Sequence, residues 1–143
     1  YLLSAGPMQL AYKYLATGSK FQSAVVFSSS SVETKQESGN PQERKQIEYM
    51  LALETALRSI AQMSGVRLVV FRPTLIYGCG LDTNVSRLAT WIQRFGFIPV
   101  IGRAKGLRQP VNADDLASVA ITALLSDVVC SDALSLTGGE TLS

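Results

Sequence analysis

The 143-residue chain contains no histidine. That absence removes the commonest general base and the commonest metal ligand, so Ser-His-Asp hydrolysis and His-based zinc centres are excluded. Cysteine is almost as scarce. Cys79 and Cys130 are too few for a disulfide framework and have no His with which to share a metal, so they read as buried or loop thiols and no metal site is expected. Long hydrophobic runs are missing too: the longest end within a few residues at Ser or Arg, far short of the roughly 20 residues needed to span a bilayer. No basic-apolar-small leader opens the chain, and the expectation is a soluble, cytoplasmic protein without a membrane partner. Charge of one sign is also lacking. Thirteen Lys and Arg against 11 Asp and Glu leave a net charge of +2, scattered and not striped, which makes no electrostatic case for nucleic acid.

What is present is enough apolar sequence, 47%, for one domain with a real core, and no composition shift that would mark a second. The stretch 66–80 organises the rest. After Val66 and Arg67, an unbroken apolar run, Leu-Val-Val-Phe at 68–71, empties into a loop punctuated by Pro73, Gly78 and Gly80. A β-branched run without alternation implies burial on both faces, as in a parallel sheet flanked by helices. In open α/β sheets ligands bind outside the carboxyl ends of the strands, which would put residues 72–80 at the rim of a crevice; an ordinary turn after a buried strand is the plainer alternative.

Around that stretch the chain alternates. Gly6-Pro7 reads as a turn into a helix closed by Gly18, and the sequence before it reads as mid-domain. Residues 23–27 form a second short buried strand that runs directly into Ser28, Ser29, Ser30 and Ser31: a polar loop by composition, or hydroxyls presented to a ligand by position. Asn40, Pro41 and Glu43 are a helix start in which an Asn cap, a Pro at the first helical position and a Glu at the third satisfy the orphan amides together. The helix should run from about residue 41 to 63, with Gly65 closing it and Ile47, Leu51, Leu57 and Ile60 facing the sheet. Glu54 falls on or beside that stripe, as a boundary residue reaching water or pairing with Arg58. Residues 84–95 form an amphipathic helix carrying Arg87, Trp91 and Arg94 and stopped by Gly96; residues 98–102 and 106–112 are short edge-like segments. Asp114 and Asp115 open a helix to about Ser126, where early acids suit its positive end, and residues 133–137 are strand-like. Strands alternating with helices indicate a doubly wound α/β domain.

Four separated motifs then fall in a familiar order: Phe-Ser-Ser-Ser-Ser-Val at 27–32, the strand ending Phe-Arg-Pro-Thr-Leu-Ile-Tyr-Gly-Cys-Gly at 71–80, Leu-Arg-Gln-Pro-Val-Asn-Ala-Asp-Asp-Leu-Ala at 107–117, and Leu-Ser-Leu-Thr-Gly-Gly-Glu-Thr-Leu-Ser at 134–143. Together they resemble the extended short-chain dehydrogenase/reductases, the NAD-dependent epimerase/dehydratase family, over nearly the whole chain from about Val25. The resemblance implies the later part of a Rossmann-like domain with an incomplete parallel sheet, the whole of 1–143 being a single partial domain whose segment of about 80–112 belongs to the substrate-binding region. It implies NAD or NADP as cofactor of the complete protein and a nucleotide-sugar-like substrate. By position Ser30 resembles the family's catalytic Ser/Thr; Ser28, Pro73, Thr74, Tyr77 and Gly78 resemble its cofactor-side loops. Arg108 resembles the arginine that grips the nucleotide-sugar diphosphate, for which a planar bidentate donor is suited. Trp91 and Arg94 lie in the segment that approaches the substrate nucleotide.

Two departures stand against the matches. The family's hydride chemistry uses Tyr-x-x-x-Lys on the long helix, yet no Tyr here has Lys four residues on. The family spacing puts Gln46 and Met50 in those places and Glu54 on a Glu common in that helix; sliding to Tyr49 brings Leu53, so either register lacks the cation. Asn112 also replaces a frequent family His. The second departure is the missing Gly-rich phosphate loop: the run 78–83 is one residue short of the pattern and lies several residues beyond its strand. The expectation is an NAD(P)-dependent epimerase/dehydratase-like protein, or alternatively a non-catalytic dinucleotide-binding or regulatory relative. A sheet without its first strands also leaves an apolar edge, which implies self-association or pairing with a complementary fragment.

Overall fold

The computed structural model describes residues 1–18, 20–78, 80, 82, 85–97, 109–127 and 132–139. Its centre is a four-stranded, all-parallel sheet built from β1 (Leu2–Ser4), β2 (Ser23–Phe27), β3 (Arg67–Pro73) and β6 (Leu134–Leu136), in the order β1-β2-β3-β6. The pairing of β2 with β3 runs in register from Ser23↔Arg67 to Phe27↔Phe71, so the two apolar runs lie side by side along their full common length. Val25, Val26, Val69, Val70 and Phe71 are all buried, as strands without alternation should be when helices cover both faces. The fold is thus the parallel α/β sheet expected from the sequence. Strand β1 is an addition to that reading: a strand of three residues in the stretch taken only as a lead into a turn.

Two helices cover one face, α1 (Met8–Ala16) and α3 (Pro41–Met63); Met8, Ala11 and Leu15 meet Leu57 and Ala61 over Ala24 and Val26. The other face is covered by α5 (Ala113–Leu125), whose Ala120 packs with Val25, Val69 and Phe71. Helix α3 begins and ends where its caps predict. Asn40 Oδ1 accepts the Gln42 amide at 3.0 Å, and Gly65 sits at φ +66°. One detail differs from expectation: Glu43 does not reach back to the Asn40 amide. Ser38 stands between them, its Oγ accepting that amide at 3.2 Å and donating to Glu43 at 2.6 Å, while Lys35 pairs with the other carboxylate oxygen.

A second, two-stranded parallel sheet joins β4 (Ile76–Tyr77) to β5 (Val111–Asn112). Asn112 closes β5 and caps α5 through its Oδ1 to the Asp114 amide at 2.8 Å, so the residue that stands where the family often has His serves here as a helix cap. Helix α4 (Val85–Phe95) follows the β4 turn and ends at Gly96, φ +74°. Residues 98–108, with the edge-like segment at 98–102 and the first three residues of the one at 106–112, lie outside the described residues, as do Cys79 and Cys130. No helix among the described residues is long and apolar enough to cross a membrane.

Candidate functional site

The carboxyl ends of β1, β2, β3 and β6 all open on the same side of the sheet, because the sheet is wholly parallel. At that rim the chain has placed a charged network. Glu54, central in the buried stripe of α3 and only 3% exposed, accepts three hydrogen bonds: from Ser28 Oγ at 2.5 Å, from Arg72 Nε at 3.1 Å and from Arg72 Nη2 at 2.6 Å. Arg72 Nη1 reaches Glu33 at 2.9 Å, and Ser135 Oγ donates to the same Glu33 carboxylate. The network thus ties the ends of β2, β3 and β6 to α3 and to the short helix α2 (Ser31–Thr34). Glu54 is therefore not a boundary residue reaching water. It is a buried carboxylate whose desolvation is offset by a bidentate guanidinium. The pair acts on both sides: hydrogen bonding to Glu54 raises the Arg72 guanidinium above its ordinary value, and Arg72 then Ser135 hold the Glu33 carboxyl below its own.

Beside this network a cavity of about 530 Å³ lies between the turn that enters α1 and the first turns of α3. Gly6, Pro7, Met8 and Gln9 form one wall; Lys45, Gln46, Tyr49, Met50 and Leu53 form the other; Phe27 and Ser28 are its floor. Gln46 and Met50, the pair standing where the resemblance implies Tyr and Lys, both line it. They also line a smaller hollow of about 270 Å³ on their far side, with Ser29, Ser31, Lys35, Glu43 and Ile47. Either register lacks a cation only in the order Tyr then Lys. Lys45 precedes Tyr49 by one helical turn, which puts the two on one face, and both line the larger cavity. The signal was a Lys-x-x-x-Tyr, legible in the sequence but in reverse order.

The residues singled out from sequence are distributed as follows. Ser28 is on the floor of the larger cavity. Ser30 heads α2 with its amide donating to the Pro73 carbonyl at 3.0 Å and its hydroxyl making no capping bond, while its neighbours Ser29 and Ser31 line the smaller hollow. Pro73 ends β3 at that contact. Thr74 turns the other way: its amide donates to Leu136 O at 3.0 Å and its hydroxyl to Gln109 O. Tyr77 lines a separate cavity of about 360 Å³ with Val85, Pro110, Asn112, Asp115, Gly138 and Gly139. Gly78, φ +125°, passes close to it, and a Cβ there would sit 3.5 Å from Ala113 and Asn112. Trp91 and Arg94 lie on α4, where the Trp91 ring meets Phe95 in a tilted contact with centroids 4.6 Å apart and Arg94 lies 5.4 Å over the Phe95 ring, lining an open groove with Asp82, Arg87 and Thr90. Hydrogen bonds from the Ser86 hydroxyl and amide hold the Asp82 carboxyl below its ordinary value. Arg108 lies outside the described residues. The structure thus gathers Ser28, Gln46 and Met50 in one cavity, and sets Tyr77, and Trp91 with Arg94, in two others.

What the gathered cavity can do follows from its lining. It offers hydroxyls, amides, one cation and apolar surface at the carboxyl edge of a parallel sheet, a set suited to a neutral-to-anionic polar small molecule and not to a metal. Among the described residues no cluster of acids and cysteines could hold a metal ion.

No family model matches the chain. Among curated proteins it is 36% identical over 73 residues to the uncharacterised protein y4nG of Sinorhizobium fredii, which covers 51% of this chain and 18% of that one. Among solved structures it is similar to UDP-glucuronic acid 4-epimerase from Bacillus cereus in complex with UDP-glucuronic acid and NAD, with TM-score 0.72 and 18% identity, over 94% of this chain and 46% of that one. It is similar also to a UDP-N-acetylglucosamine 4-epimerase from Methanobrevibacter ruminantium M1 in complex with UDP-N-acetylmuramic acid (TM-score 0.68, 18% identity, 90% and 46%). A third is the NAD-dependent NDP-hexosamine 5,6-dehydratase TunA (TM-score 0.63, 18% identity, 94% and 48%). The chain therefore has the Rossmann-like fold of nucleotide-sugar epimerases and dehydratases, and spans less than half the length of these solved chains and 18% of y4nG.

Proposed function

We propose that this chain is the later part of an NAD(P)-dependent, epimerase/dehydratase-like protein acting on a nucleotide-sugar-like substrate, and that the cavity floored by Ser28 is its sugar-side crevice. The observation that carries the reading is the position of that cavity: it lies at the carboxyl ends of a parallel sheet, and its floor serine donates to the buried Glu54, which is paired with the half-buried Arg72. The similar Bacillus cereus epimerase is described in complex with UDP-glucuronic acid and NAD, and the Methanobrevibacter one in complex with UDP-N-acetylmuramic acid, which supports the same classes of ligand here. In this reading Ser30 polarises a substrate oxygen, Pro73, Thr74, Tyr77 and Gly78 border the nicotinamide, and Arg108, Arg94 and Trp91 meet the nucleotide.

A second reading is favoured by one specific observation. Gln46 and Met50 line the cavity side by side, and neither an amide nor a thioether transfers protons as a phenol with an ammonium partner does. The protein would then bind the dinucleotide and sugar nucleotide without hydride transfer. The deciding experiment follows NAD(P)H absorbance in the complete protein with a panel of UDP-sugars, natural and Ser30→Ala. Turnover that falls by about 10²-fold in Ser30→Ala, the usual effect of removing one polarising donor, supports the enzyme. Saturable UDP-sugar binding without turnover supports the binding relative. Turnover indifferent to Ser30→Ala overturns the placement of the site, and no binding of any UDP-sugar overturns both.

A further inference from the structure

Helix α4 differs from α1, α3 and α5: none of its residues is buried, and none joins the clusters that pack on the sheet. Its sequence is nevertheless amphipathic. Leu88, Trp91, Ile92 and Phe95 recur at the i, i+3, i+4, i+7 spacing of one face, each between 41% and 47% exposed, while Ser86, Ala89, Thr90 and Gln93 occupy the opposite face. Eleven residues are too few for a helix to persist in water unaided, so that apolar face needs a further surface to pack on.

Charge identifies the surface. The ionised groups, scattered over the chain as a whole, divide at this segment: five of the 13 Lys and Arg and none of the 11 acids lie between Asp82 and Asp114, which leaves +5 there and −3 on the rest. Two of the five, Arg87 and Arg94, flank Trp91 at the border of the apolar face, and neither forms an ion pair among the described residues. The Asp82 carboxylate that precedes the helix is taken up by the Ser86 amide and hydroxyl. A second copy of α4 would set like charges against these arginines, so the face does not complement itself. Trp and Phe in the apolar stripe, Arg at its border and no acid are instead the pattern of a helix lying at the boundary of an anionic bilayer, with guanidinium groups reaching lipid phosphates. At 1.5 Å per residue the helix is about 16 Å long, roughly half the hydrocarbon thickness, so it lies in the plane and does not span.

We infer that α4 is a peripheral docking helix for an anionic lipid surface, with Leu88, Trp91, Ile92 and Phe95 buried at the headgroup boundary and Arg87 and Arg94 on lipid phosphates. The inference goes beyond the function proposed above and does not use the cavity floored by Ser28. Trp91 and Arg94, given there to the nucleotide, would be shared between the two ligands.

Trp91 is the single tryptophan of the chain, so its fluorescence reports on α4 alone. The test titrates the 143-residue chain with phosphatidylcholine vesicles made with and without phosphatidylserine. Vesicles with phosphatidylserine are expected to shift Trp91 emission to the blue, and brominated acyl chains in them to quench it. Binding to phosphatidylcholine alone should be about 30-fold weaker, the worth of two arginines near a charged surface, and Arg87→Gln should weaken binding to the mixed vesicles about fivefold. Leu88→Ser with Ile92→Ser should abolish the shift; both side chains are exposed, and far-UV circular dichroism checks that the variant folds. Arg87→Gln carries the test if it does not. Vesicles that leave Trp91 unshifted, binding indifferent to phosphatidylserine or to Arg87→Gln, or binding that survives the folded double variant overturns the inference. So does a blue shift that grows with protein concentration in the absence of lipid, which would assign the face to a second copy. A shift with poly-glutamate or UDP and none with vesicles likewise overturns it, the first assigning an acidic polypeptide and the second leaving the nucleotide reading standing.

Discussion

At the scale of single residues, Glu54 shows how one side chain changes meaning with its surroundings. On an isolated helix an acid four residues before Arg58 is an exposed ion pair contributing a few tenths of a kcal/mol; folded, it is a buried carboxylate with three hydrogen bonds to Ser28 and Arg72. Its dependence on Arg72 is accordingly large. Arg72→Met should leave Glu54 buried with only the Ser28 hydroxyl and release Glu33, lowering the unfolding free energy by about 3–5 kcal/mol, the usual cost of stranding one partner of a buried pair. Urea denaturation of the two proteins measures it. Replacing both, Arg72→Met with Glu54→Leu, should recover most of the loss, because two apolar side chains of similar volume leave no uncompensated charge. A double variant as unstable as Arg72→Met would show that packing around β3, and not the stranded charge, sets the penalty.

At the scale of elements, helix α3 carries the site, and its start is where sequence and structure agree most closely. Asn40, Pro41 and the amide of Gln42 make a cap whose geometry depends on four consecutive residues, which is why it is legible without the rest of the fold. The capping-box role of Glu43 was not so legible, because Ser38 and Lys35 arrive from outside the helix and take the carboxylate first. Asn40→Ala should lower stability by about 1 kcal/mol and Asn40→Gly by only a few tenths, read as shifts in urea midpoint at constant slope. Equal losses for the two would refute the expected ranking, in which glycine at the cap position costs less than alanine.

At the scale of the whole molecule, the sheet of the described residues ends on β1, a three-residue strand bonded there to β2 alone, whose central Leu3 is 45% exposed. A free edge of this kind presents unpaired amides and carbonyls to any other strand. Val119, Ile121 and Leu125 of α5 add exposed apolar surface on the opposite face of the sheet from α1 and α3. The chain is therefore expected to associate with itself or with a complementary chain. Sedimentation should show mass rising with concentration, and Leu3→Lys should shift it towards monomer by placing a charge on the edge. A natural chain that sediments as a monomer at all concentrations and unfolds in a two-state transition would refute this.

The sequence by itself determined what depends on neighbours along the chain. The unalternated runs at 23–27 and 67–71 specified buried parallel strands, the caps specified α3, and the order of four motifs pointed to the epimerase/dehydratase fold that the solved structures share. Only tertiary structure decided which of these pieces meet. The pairing of Glu54 with Arg72 spans 18 residues and that of Glu33 with Ser135 spans 102, and both arise from strand ends brought together by the parallel register. The same register put Ser28 against Glu54 and, with α3 laid across the sheet, set Lys45 and Tyr49 on the wall of the cavity. Such contacts are fixed by packing in three dimensions, where separation along the chain carries no information about distance, and so no local pattern of residues records them.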